Sequence, residues 1–89
     1  MEVVIRDLVS DAIICKWSIE SAEDFRRIMA MIKNKAKPDG MDGFKLEVKV
    51  QNLPSEEIHG TETEIETSLI NLIVKAKGGE KWMNSQRRF

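Results

Sequence analysis

Hydrophobic residues recur with two different periods along this chain, and the two periods predict both strands and helices. Residues 44–51 place an apolar side chain at every second position, which is typical of a strand with one buried and one solvated face. Residues 22–36 place apolar side chains three and four positions apart, which indicates one face of a helix. We expect these two faces to cover each other and to form a core that includes Phe25, Ile28, Ile32, Leu46 and Val48.

The residues on either side of 22–36 support the predicted helix. Ser21 followed by Asp24 resembles a capping box in which aspartate takes the place of glutamate. Pro38 and Gly40 are typical of the end of a helix.

The first part of the chain predicts a hairpin. Segments 2–8 and 12–17 are short and rich in β-branched residues, and the intervening VSD is a plausible turn. The apolar residues of the first segment fall on both faces, with Val3 and Ile5 on one and Val4 and Leu8 on the other. This pattern favours strands that are covered on both sides, or strands that hold one face for a partner.

Segment 61–77 fits two structures. As a helix it would begin with a capping box formed by Thr61 and Glu64, and it would end at Gly78. As a strand it would show alternating apolar residues over 69–76, which its β-branched composition favours. Length, both caps and the charge gradient along the segment favour the helix.

The predicted elements follow the order β-β-α-β-α, with a short turn near 54–58. This order indicates an α+β fold in two layers, with a small antiparallel sheet that carries two helices on one face. The chain of 89 residues is expected to form a single domain, 1–89.

Composition and charge indicate a folded cytoplasmic protein. The chain is 42% hydrophobic and 33% charged, which is ordinary for a folded domain. No stretch approaches the roughly 18 apolar residues of a membrane span, and charged residues interrupt the first 17 positions. Cys15 is the only cysteine, so it cannot form an internal disulfide, and we expect it to be a small core residue.

No sequence motif points to catalysis, a metal or a cofactor. His59 is the only histidine, and the glutamates around it are more typical of a solvated loop than of metal ligands at fixed spacing. The chain has no nucleophile motif and no phosphate-binding glycine loop. We therefore expect a protein that is not an enzyme.

The charge distribution permits a nucleic-acid-binding function. Arg26, Lys33 and Lys37 recur on one side of the predicted helix and form a basic stripe, which phosphates could contact. The basic tail could add Trp82 or Phe89 as a stacking side chain. An isoelectric point near 5.8 argues against this function.

The preferred prediction is an interaction module that forms a homodimer or higher homo-oligomer and binds a protein partner as an inhibitor, adaptor or regulator. The first hairpin or an edge strand would supply the self-contact. Residues 80–84 are expected to fold back onto the domain or a neighbouring subunit. The candidate partner-binding residues are Met31, which falls off the core face of its helix, and Trp82, Met83, Arg87 and Arg88 in the tail.

Overall fold

Four strands and two helices follow one another in the order β-β-α-β-β-α. The structure is a computed structural model, and it describes residues 1–38, 40 and 43–77. The elements are β1 (Glu2–Asp7), β2 (Ile13–Ser18), α1 (Ala22–Lys35), β3 (Phe44–Val50), β4 (Glu56–Gly60) and α2 (Glu62–Ala76). The predicted α+β class is confirmed, with one strand more than the sequence pattern indicated.

The strands form one antiparallel sheet in the order β2-β1-β3-β4. In the central pair, Val3 lies opposite Val50 and Ile5 lies opposite Val48. Residues that face each other across an antiparallel pair share a face of the sheet. These four side chains are at most 1% exposed and belong to the same core cluster as the buried residues of both helices. The core therefore lies between the sheet and a single layer of helices.

Strand β4 is the element that the sequence analysis did not find. It contains Glu56, Glu57, His59 and Gly60, and its one large apolar residue is Ile58. Such a composition has a low intrinsic strand propensity. The segment is a strand because it pairs with β3, where Ile58 lies opposite Leu46 and is 8% exposed.

Helix α1 follows the predicted pattern closely. The hydroxyl of Ser21 accepts the backbone N–H of Asp24 at 3.4 Å, as in a capping box. The aspartate carboxylate accepts the N–H of Glu20 at 2.9 Å, one residue before the cap. Ile28 is buried as expected, but Phe25 is only partly buried and packs at the edge of the core. Phe25 thus packs against the predicted core, but it lies at the margin of that core and is not one of its fully buried residues.

The ambiguous segment 61–77 is a helix. Thr61 donates its backbone N–H to the Glu64 carboxylate at 3.0 Å, and its hydroxyl accepts the Glu64 N–H at 3.3 Å, so the full capping box is present. Ile65 and Leu69, four residues apart, are at most 1% exposed. Gly60 precedes the cap with a φ of +131°, and a Cβ there would lie 2.9 Å from the Glu64 side chain. The junction between β4 and α2 therefore favours glycine.

Candidate functional site

Asp7 is the one charged side chain in the described part of the chain that is fully buried. Its carboxylate accepts the N–H of Val9 at 3.1 Å, the N–H and hydroxyl of Ser10 at 3.3 and 2.6 Å, and the N–H of Lys37 at 3.0 Å. Burial raises the pKa of Asp7, but these hydrogen bonds together outweigh it and hold the pKa below its ordinary value. Asp7 is thus a structural anchor, a role that the sequence analysis missed.

Two other carboxyl groups with a lowered pKa also stabilise the fold. The pKa of Asp24 is lowered first by the backbone N–H of Glu20 and then by the indole N–H of Trp17, which lies 3.2 Å away. The pKa of Glu64 is lowered mainly by the hydrogen bonds from Thr61. Both groups cap helices, so neither shift indicates a catalytic acid.

Cys15 and His59 lie in contrasting surroundings. Cys15 is 5% exposed, and burial raises the pKa of its thiol, so the prediction that it is a core residue is confirmed. His59 is exposed on β4 and lies opposite Lys45. Within residues 1–38, 40 and 43–77, no three His, Cys, Asp or Glu side chains form a group that could hold a metal ion.

A cleft opens between the N-terminal end of α1 and the C-terminal end of α2. Its volume is about 310 Å³, and its lining includes Ile19, Phe25, Ile70, Ile73 and, at the end of α2, Lys77. Ile70 is 40% exposed, one of the few large apolar side chains in the described fold with so much open surface. We call this feature the interhelical cleft. Its apolar lining suits a hydrophobic side chain.

The space between the helices continues toward the other end as a polar groove. Arg26 and Lys33 of α1 line it on one side, and Glu62 and Glu66 of α2 line it on the other. The structure thus brings together two residues of the basic stripe, but places them beside two glutamates. The third, Lys37, lies just past α1, where its backbone N–H binds Asp7.

The face of the sheet away from the helices is largely polar. Arg6 contacts Glu47 at 3.2 Å and Asp11 at 2.6 Å across this face. Val4 is half-buried there and lies between Lys16 on β2 and Lys49 on β3. Of the two alternatives for the hairpin strands, a cover on both sides is not what the described residues form, because both helices lie on one side of the sheet and charged side chains occupy the other.

The exposed apolar surface of the first hairpin is concentrated at its turn and its outer strand. Strand β2 is an outermost strand of the sheet. Ile13, at its start, is 59% exposed, and Val9 in the turn is 46% exposed. We call this feature the β2 edge. At the opposite edge, β4 exposes Glu56 and Glu57 instead.

Of the residues predicted to bind a partner, the structure describes Met31 but not those of the tail. Met31 is partly buried and packs against the core, which accounts for its apolar character without a partner. Trp82, Met83, Arg87 and Arg88 lie outside the described residues, so their predicted role in partner binding stays a prediction. The sequence pattern did not indicate the cleft residues Ile19 and Ile70, because they come together only when the two helices pack on the sheet.

No protein-family model, no curated protein and no solved structure matches the chain. Among the described residues, no helix has both the length and the apolar character that crossing a membrane requires.

Proposed function

We propose that this protein is a non-catalytic interaction module that self-associates through the β2 edge and serves a protein partner as an inhibitor, adaptor or regulator. The observation that carries the proposal is the exposure of Ile13 on an outermost strand, beside the exposed Val9 of the turn. An outermost strand presents unpaired backbone donors and acceptors, which favour pairing with another strand.

The two edges of the sheet differ in how well they resist such pairing. Strand β2 has six residues and a single charged side chain, Lys16. Strand β4 has five residues, and its exposed Glu56 and Glu57 would repel a second copy of themselves. Pairing of β2 with β2 about a two-fold axis would extend the sheet across two protomers and would cover the apolar surface of Ile13.

The titratable groups with a shifted pKa have structural roles in this fold. The three carboxyl groups with a lowered pKa anchor a turn or cap a helix, and the buried thiol of Cys15 has a raised pKa. Reactive thiols instead have a lowered pKa and access to solvent. The only cysteine, Cys15, is unpaired and buried, which agrees with the cytoplasmic location that we propose.

The experiment that tests the proposal is the mass of the protein in solution. Sedimentation equilibrium of the wild type, up to about 100 μM, should show a dimer or a larger oligomer that dissociates on dilution into the micromolar range typical of modest interfaces. A monomer at every concentration would refute self-association.

A pair of matched variants tests the contact surface. Ile13→Lys places a charge on the β2 edge and should shift the protein toward the monomer. Ile70→Lys makes the same change at another exposed isoleucine, in α2 on the helical face of the sheet, and should leave the mass unchanged. If both variants remain as oligomeric as the wild type, the contact lies elsewhere than the β2 edge.

A further inference from the structure

The interhelical cleft exposes apolar surface that no described segment covers. Ile70 is 40% exposed within it, although the neighbouring Ile73 is only 5% exposed. Phe25 lines the same space and is partly buried. The cleft therefore offers an aliphatic and aromatic lining of the kind that receives a large apolar side chain.

The chain leaves the described fold at this cleft. Lys77, the residue that follows α2, is part of the cleft lining. Gly78 and Gly79 come next, and glycine allows the backbone conformations that reverse chain direction after a helix. The last described residue, Lys77, thus lies at the mouth of the cleft.

Trp82 is close enough in sequence to reach the exposed isoleucine. It lies five positions after Lys77, a stretch that spans at most about 17 Å when extended. Along α2, Ile70 lies about 10 Å from Lys77. A chain that reverses at the two glycines therefore places position 82 within reach of Ile70 and Ile73.

The side chains near position 82 match the cleft in chemistry. Trp82 is the largest apolar side chain of the segment, and Met83 follows it. Lys81, beside it, would meet the acidic Glu20, which is exposed on the cleft lining. We propose that residues 78–89 of the same chain occupy the interhelical cleft, with the indole of Trp82 packed against Phe25, Ile70 and Ile73. The proposal does not depend on self-association through the β2 edge.

A double-mutant cycle in the full-length chain tests this contact. Ile70→Ala and Trp82→Ala should each lower the melting temperature by about 4–8 °C, the shift that a modest loss of packing produces in a domain of this size. The double variant should melt close to Trp82→Ala alone, because residues in contact have non-additive effects. Additive shifts, or no shift for Trp82→Ala, would overturn the proposal.

Val4→Ala provides the matched control. Val4 is half-buried on the face of the sheet away from the helices, so the sheet separates it from the interhelical cleft. The effects of Val4→Ala and Trp82→Ala on the melting temperature should add, since well-separated sites act independently. The same non-additivity for Val4 as for Ile70 would overturn the assigned contact.

A further measurement shows whether the tail in the cleft belongs to the same chain or to a second copy. The coupling between Ile70 and Trp82 should be the same in dilute and concentrated protein, because the contact is within one chain. Coupling that weakens on dilution would place the tail of a second copy in the cleft and overturn the assignment to the same chain.

Methyl NMR spectra test the packing directly. Trp82→Ala should shift the signals of Ile70 and Ile73 and leave those of Val9 unchanged. Signals of Ile70 and Ile73 that do not move would contradict the packing.

Discussion

The carboxylate of Asp7 accepts a hydrogen bond from the backbone N–H of Lys37 at 3.0 Å, across thirty positions of sequence. The same carboxylate oxygen accepts the N–H and the hydroxyl of Ser10. Because Asp7 is fully buried, these bonds link the β1–β2 turn to the segment that follows α1 in a place that water does not reach. A charge in the interior thus fixes the position of two connections at once.

The first prediction concerns Asp7→Asn. The amide group would present N–H donors in place of one of the two carboxylate oxygens, and each of these oxygens accepts at least one backbone N–H. At least one buried backbone N–H would therefore lose its acceptor. Such an unsatisfied group costs about 1–3 kcal/mol, and the free energy of unfolding in urea should fall by that amount. Asp11→Asn is the control, because the Asp11 side chain is 77% exposed and its pair with Arg6 at the surface is worth about 0–1 kcal/mol. Equal losses for both variants would show that the buried network adds nothing.

The second prediction concerns acid. The pKa of Asp7 in the folded protein lies below its ordinary value of 3.8, so the unfolded chain binds the proton more readily. The stabilisation from the ionised carboxylate is fully present above the ordinary value and is lost as the pH falls through the lower, folded value. Urea midpoints should be measured between about pH 6 and 2. As the pH is lowered over this range, the midpoint should fall more steeply for the wild type than for Asp7→Asn.

Two other carboxyl groups contribute to the acid sensitivity of both the wild type and Asp7→Asn. Asp24 and Glu64 also have a lowered pKa and stay intact in the variant, so Asp7→Asn should keep part of the acid sensitivity. Parallel curves for the two proteins would mean that Asp7 does not contribute to it.

The helices could be predicted from sequence because their signals are local. The apolar period of α1 and the capping pairs of both helices involve residues three or four positions apart. Strand β4 has no comparable local signal, because its position is fixed by pairing with β3. The burial of Asp7 follows from its place opposite Leu46 in the sheet. Nothing in the sequence of β1 indicates that its carboxylate binds the backbone of Lys37, thirty positions away.

The candidate surfaces depend on tertiary arrangement to an even greater degree. Strand order decides that β2 is an outermost strand, and neither hairpin strand shows that order in its own sequence. The interhelical cleft joins Ile19, which follows β2, to Phe25 in α1 and Ile70 in α2. The periodicity of α1 correctly placed Phe25 on the apolar face, but it could not indicate that the end of this face borders an open cleft.

The last prediction concerns nucleic acid. We expect the wild-type protein to show no tight, salt-sensitive binding to single-stranded or duplex oligonucleotides, since Glu62 and Glu66 share the groove that Arg26 and Lys33 line. Their negative charge offsets the attraction that phosphates would feel. Fluorescence anisotropy of labelled oligonucleotides at about 50 and 200 mM salt gives the measurement, because binding through phosphates weakens steeply over that range.

If the wild type does bind oligonucleotides, two triple charge-reversal variants identify the surface that binds them. One changes the basic stripe, Arg26, Lys33 and Lys37, to glutamate. The other makes the same change in overall charge on the open face of the sheet, at Lys16, Lys45 and Lys49. If the wild type binds tightly at low salt and only the first variant loses that binding, the basic stripe is a phosphate-binding surface despite the two glutamates. The nucleic-acid function would then replace the interaction module as the better proposal, because the attraction of the basic stripe for phosphates would outweigh the repulsion from Glu62 and Glu66.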